Sequence, residues 1–151
     1  MPDKRWISPT AGVLAVMIAL AMAGCGGDES SDATTASITK AEFIARANVA
    51  CARIRGQAQA ELLDFMKSRT AEPSTADLGR RFVIAPKQRE VEEFVALGMP
   101  SEDEEQVKAI VTAFETGISE AEAEPAQVAQ NSTEALGEAE KLAAEYGLKG
   151  C

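Results

Sequence analysis

Prolines at positions 73, 100 and 125 divide the chain beyond Ile38 into stretches whose apolar residues recur three and four positions apart. That spacing places them on one face of a helix, and a proline disfavours helical geometry at the residue before it. The first stretch carries Phe43, Ala47, Ala50, Cys51, Ile54, Ala58, Leu62, Phe65 and Met66, a single stripe on a helix of about seven turns. It opens on Thr39 and Glu42, spaced as a capping box, with Ile38 and Phe43 placed as a hydrophobic staple. The second begins after Pro73 with Ser74 or Thr75 as its cap and carries Leu78, Phe82, Val83, Val91, Phe94, Val95 and Leu97. Pro86 lies inside it and predicts a kink or a break.

Ser101 and Glu104 repeat the capping-box spacing after Gly98-Met99-Pro100. Glu102 to Glu105 are acidic, as favoured beside a helix N-terminus. Val107, Ile110, Val111, Phe114 and Ile118 form the third stripe; Val128, Ala135, Leu136, Ala139, Leu142, Ala143 and Tyr146 form the fourth. Gly147 is placed to end that helix in the left-handed conformation, with Leu148 folding back. Four amphipathic helices with short joins predict an all-α, up-down four-helix bundle over residues 38–151.

Residues 1–24 read differently. Lys4 and Arg5 precede an apolar run from Ala11 to Gly24, the layout of a signal peptide. That run is shorter than the about 20 residues needed to cross a bilayer. Leu20-Ala21-Met22-Ala23-Gly24-Cys25 resembles the lipobox of bacterial lipoproteins, with Met22 where leucine is usual. The resemblance implies cleavage before Cys25 and a diacylglyceryl group on its thiol. Residues 25–37, Gly-, Ser-, Asp- and Thr-rich, hold no aliphatic side chain larger than alanine and read as a flexible tether.

Charge is divided unevenly. Thr39 to Glu90 hold ten basic and six acidic residues; Val91 to Cys151 hold three and fourteen. The net charge of −9 argues against nucleic acid as a partner. The basic side, with Arg53, Arg55, Arg80, Arg81, Lys87 and Arg89, either packs beside the acidic helices or faces an anionic envelope surface.

Besides Cys25 the chain has Cys51, on the first stripe, and Cys151. An exported domain meets an oxidising compartment, where disulfides persist. In an up-down bundle the last helix ends near the first, and Leu148-Lys149-Gly150 can span roughly 10 Å. The pair is expected to bridge; the alternative is a free buried Cys51 and a frayed tail.

Phe43-Ile44-Ala45-Arg46-Ala47-Asn48-Val49-Ala50-Cys51, Leu97-Gly98-Met99-Pro100 and Tyr146-Gly147-Leu148-Lys149-Gly150-Cys151 resemble segments of small Ala-rich secreted lipoproteins of high-GC Gram-positive bacteria. The resemblance implies a helical bundle with a Cys51–Cys151 bridge, and no activity.

The absence of histidine removes Ser-His-Asp and Cys-His sites and His-ligated zinc or haem. No phosphate loop or EF-hand loop is present. Glu120, Glu122, Glu124, Glu134, Glu138 and Glu145 are the acidic residues able to ligate a hard cation, though a solvated acidic face reads the same. Asn131-Ser132-Thr133 reads as exposed helix. No catalytic residue, metal or cofactor is expected. The chain reads as a non-enzymatic envelope lipoprotein, held to the membrane by its lipid and acting as an interaction or structural module. Its expected partner is an envelope protein or an anionic envelope surface. The alternative is a carrier of a small ligand or cation in a cavity between helices near Pro86.

Overall fold

A computed structural model describes residues 37–151; the expected signal peptide, Cys25 and the expected tether up to Ala36 lie outside the described residues. The described chain is all-helical, with α1 (Lys40–Ser68), α2 (Thr75–Gly79), a π-helical turn (Arg80–Ile84), α3 (Ala85–Leu97), α4 (Glu104–Ala123), α5 (Pro125–Val128) and α6 (Thr133–Tyr146). No helix among these residues is long and apolar enough to cross a membrane.

α1 starts as its sequence predicts. The Thr39 hydroxyl accepts from the Glu42 amide, and the Glu42 carboxylate accepts from the Thr39 amide at 3.0 Å. The Thr39 amide and then the Thr39 hydroxyl, which donates to Glu42 Oε2 at 2.8 Å, hold the Glu42 carboxyl below its ordinary pKa. Ser74 caps α2 by accepting from the Asp77 amide at 3.1 Å.

The helical path does not break at Pro86. Proline brings no N–H, and the hydrogen-bond register changes just before it: the Ala85 amide donates to the Arg80 carbonyl, five residues back. α2, the π turn and α3 therefore run on without an intervening loop from Thr75 to Leu97. A π turn is a common cause of helix bending and a way to absorb an irregular residue.

Two expectations are corrected at helix starts. Ser101 and Glu104 make no capping box: residues 101–103 form a turn closed by the Asp103 amide on the Pro100 carbonyl, and α4 begins at Glu104. The Asp103 carboxylate is instead drawn toward Lys40 and Tyr146. The fourth stripe is divided between α5 and α6. Asn131 and Ser132 lie between the two, and the Asn131 side chain accepts from the Thr133 amide at 3.3 Å, a local bond that competes with helix.

The core joins α1, α3, α4 and α6 through Phe43, Phe94, Phe114, Val107 and Leu136, all with almost no exposure. Phe43, Phe94 and Phe114 form a tilted aromatic chain with centroids 6.2 Å apart at each step. Tyr146 meets Phe43 edge-on at 6.1 Å. Gly117 sets the approach of α4 to α6, since a Cβ there would collide with the Ala135 carbonyl. Val91 and Val107 are buried as their stripes predict, whereas Leu62, Phe65 and Met66 are not: the buried face of α1 ends at Ala58.

Candidate functional site

The densest assembly of polar and reactive groups surrounds the C-terminal tail. Gly147 closes α6 with φ of 111°, and the Leu148 amide donates to the Ala143 carbonyl at 2.9 Å. Leu148 is thereby turned into the core. Asn48 on α1 holds the segment that follows from both sides. Its Nδ2 donates to the Gly147 carbonyl at 3.4 Å, and its Oδ1 accepts from the Lys149 amide at 2.6 Å. The Arg55 guanidinium lies against Gly150, in the place a Cβ would occupy. This path brings Cys151 to Cys51 at disulfide distance, with Cα atoms 5.4 Å apart.

Lys87 completes the seat. Its Nζ donates to the Cys151 main-chain oxygen and to Glu90 Oε2 at 3.0 Å, lies 3.4 Å from Glu140 Oε1, and sits 5.5 Å from the Phe114 ring centre. Glu90 is buried beside it. Burial pushes the Glu90 carboxyl above its ordinary pKa; Lys87 and then Arg55 oppose this, and Glu140 adds to it. Both cysteines are themselves buried. Thiol–disulfide exchange needs a thiolate to reach a sulfur, so this arrangement suits a staple better than a redox centre. Asn48 and Glu90 were not singled out from the sequence. A polar residue three before a core cysteine, and a carboxylate three after Lys87, are the signals that were there to read.

The other basic residues expected on one side are mostly in ion pairs. Arg53 pairs with Glu93, Arg89 lies 3.8 Å from Glu61, and Arg80 lies 3.6 Å from Asp77. Arg81 stacks over Phe65 and Phe82, at 4.9 and 5.2 Å.

The six candidate carboxylates are only partly brought together. Glu120, Glu124 and Glu134 line a cleft of about 310 Å³ between α4, α5 and α6, whose floor includes Ala121 and Val128. There the Gln127 amide donates to Glu134 at 2.7 Å. Glu122 accepts instead from Gln88 at 2.8 Å, and Glu138 lies 3.7 Å from Lys141. Glu145 borders a separate cleft of about 290 Å³ with Lys40, Ile110, Leu142 and Tyr146. Among the described residues no three acidic or cysteine side chains are arranged to hold a metal ion. At that second cleft Lys40 sits 4.4 Å from the Tyr146 ring centre and 3.4 Å from Asp103. Burial, then the Asp103 carboxylate, pushes the Tyr146 hydroxyl up to about 12. Pro86 is buried and lines neither cleft.

No protein-family model, no curated protein and no solved structure matches the chain.

Proposed function

We propose that the protein is a cell-envelope lipoprotein whose helical domain is a non-enzymatic interaction or structural module on the outer face of a membrane. The observation that carries this reading is the pairing of Cys51 with Cys151 at disulfide distance. Such bridges persist in oxidising compartments, which agrees with an exported chain whose remaining cysteine, Cys25, follows Leu20-Ala21-Met22-Ala23-Gly24. The small Ala-rich lipoproteins of high-GC Gram-positive bacteria are the group this chain resembles. In this reading α1, the α2–α3 segment, α4 and α6 are the four members of an up-down bundle. The second member bends where the π turn meets Pro86.

An interaction module is favoured over an enzyme because the most polar cluster is spent on holding the tail. Lys87, Glu90 and Asn48 have protein partners, and both cysteines are buried. The carrier reading rests on the open cleft with Glu120, Glu124 and Glu134 on its walls.

Intact mass of membrane-extracted protein, with and without reductant before alkylation, tests the anchor and the bridge together. Loss of residues 1–24, a diacylglyceryl mass on Cys25 and two thiols alkylated only after reduction are expected. Retention of the N-terminus removes the anchor; alkylation of Cys51 and Cys151 without reductant removes the bridge.

A further inference from the structure

α1 carries two apolar faces. One is the core stripe already described. The other runs through Ala45, Val49, Ala52, Gly56, Ala60 and Leu63, at steps of four, three, four, four and three, and every one of these residues is exposed. At about 100° per residue they fall within an arc of about 80°, opposite Ala47, Ile54 and Ala58. Val49 is 70% exposed and Leu63 56%, and Met66, at the edge of the row, is 42% exposed. An apolar row that keeps to one side of a helix is the means by which a second helix packs along it.

Gly56 is the observation that points to a close neighbour. It lies mid-helix, where glycine is among the poorest helix formers. Nothing among the described residues requires it, since none of their atoms lies within 4 Å of a Cβ built there. A glycine so placed is explained by a second backbone approaching that face, to an axis separation of about 8 Å.

The arrangement around Gly56 says what that neighbour is. Ala52 and Ala60 lie four residues to either side of it, and Val49 and Leu63 seven. From Val49 to Leu63 the row therefore matches itself when reversed, and Ala45 falls opposite Lys67. Two copies of α1 crossing antiparallel at Gly56 set Val49 of one against Leu63 of the other, with the small residues between. The charges match in the same register. Arg46 and Asp64 lie on the same edge of the row, and reversal brings Arg46 of one copy within about a turn of both Asp64 and Lys67 of the other, with Glu42 beside that Lys67, so that one acidic and one basic residue meet the same pair. Arg46 makes no ion pair among the described residues, and Asp64 has only an exposed contact at 3.9 Å to Lys67, so both can re-pair. A parallel pair would hold Arg46 of one copy about 27 Å along the seam from Asp64 of the other, beyond pairing distance. A bilayer would gain little from Ala52, Gly56 and Ala60, since interfacial helices bury bulky residues.

We propose that this outward face of α1 binds the same face of a second copy of the chain, antiparallel and centred on Gly56. A two-fold axis through that point makes each contact twice. The proposal deepens the interaction-module reading and rests on it for the exposed setting of the domain, but it does not require the lipid on Cys25.

The test is photo-crosslinking in the cells that make the full chain, with a photoreactive residue at position 63 and a control at Thr112 on α4. The expected product is an adduct of twice the chain mass, joined to the α1 peptide that holds Val49. Gly56→Leu, whose Cβ meets no atom of the described residues, is expected to lower the adduct yield about tenfold while the thermal unfolding temperature of the dilute protein stays the same or rises. Arg46→Asp and Asp64→Arg are each expected to lower it about tenfold, and the two together to restore it. An adduct with another protein or with lipid, an adduct joining Leu63 to Leu63, or a yield no higher than from position 112 overturns the proposal. So does a double charge reversal that stays as low as the single ones. The mass at Cys25 from the same preparation is a separate readout. A lipidated chain without the adduct fails the docking face alone, and an adduct on an unlipidated chain fails the anchor alone.

Discussion

The two halves of α1 share an apolar spacing and differ in what covers them. From Phe43 to Ala58 the helix buries a residue every turn against α3, α6 and the tail, and Asn48, Cys51 and Arg55 fasten it there. From Gln59 to Ser68 it buries none. Its hold there includes one aromatic contact, Phe65 on Phe82 at 5.5 Å, with Arg81 over both rings. Apolar periodicity is therefore not a measure of burial. The near half is anchored because a tail and two helices meet it; the far half outruns the elements that could cover it.

The largest expected effect lies at the near half. Cys151→Ser opens a loop spanning a sequence separation of 100 residues, which in the chain-entropy account lowers stability by about 4 kcal/mol. Urea unfolding of the variant should show it, and a loss below about 1 kcal/mol would mean that the hydrogen bonds of Asn48 and Lys87 alone keep the tail in place. Phe43→Ala should cost a comparable amount, about 3–4 kcal/mol, because its ring is fully buried between Phe94 and Tyr146.

Next in size is a pair of pH effects at the same end. Tyr146 titrates near 10 when unfolded and at about 12 when folded, so its contribution is complete below pH 10 and lost as pH rises toward 12. Thermal unfolding temperature should fall across that interval in the wild type and more gently in Tyr146→Phe. Glu90 has the same sign of shift in the acid range. Its folded pKa is raised above the ordinary 4.5, so its contribution is greatest below 4.5 and declines as pH rises through the folded value. Glu90→Gln should flatten that decline. A steeper decline in the variant would show that Lys87 outweighs burial.

What the sequence made legible follows from how local each signal is. The Thr39 cap, the cap at Ser74 or Thr75 and the left-handed Gly147 depend on neighbours within a turn; the first and last stand as read, and the second falls on Ser74. The all-helical class followed from apolar spacing in the same way. That the helix runs on past Pro86 was one of two outcomes left open there; the change of hydrogen-bond register before the proline was not legible, because it leaves no trace in residue type. Nor was the division of the last stripe at Asn131, whose own side chain supplies the competing bond. At the tail, Cys51 and Cys151 were legible as a pair. The Lys87–Glu90 seat was not, since Lys87 reads from the sequence as one more surface cation.

The smallest effect is the most informative about the far half. Leu63→Ser and Met66→Ser remove apolar side chains that are about half exposed. Each should change the unfolding free energy of the dilute protein by under about 0.5 kcal/mol. Phe65→Ala, which loses the Phe82 contact, should cost more, about 1–2 kcal/mol. A loss above about 2 kcal/mol at Leu63 would mean that the far half is covered within its own domain after all, and the contrast between the halves would fall. The other outcome is that Leu63→Ser leaves unfolding untouched yet abolishes the adduct formed from a photoreactive residue at position 49. The far half is then stable without a cover because it is kept bare for a second copy. Its apolar residues are in that case explained by association, and the same residue types on the near half by folding.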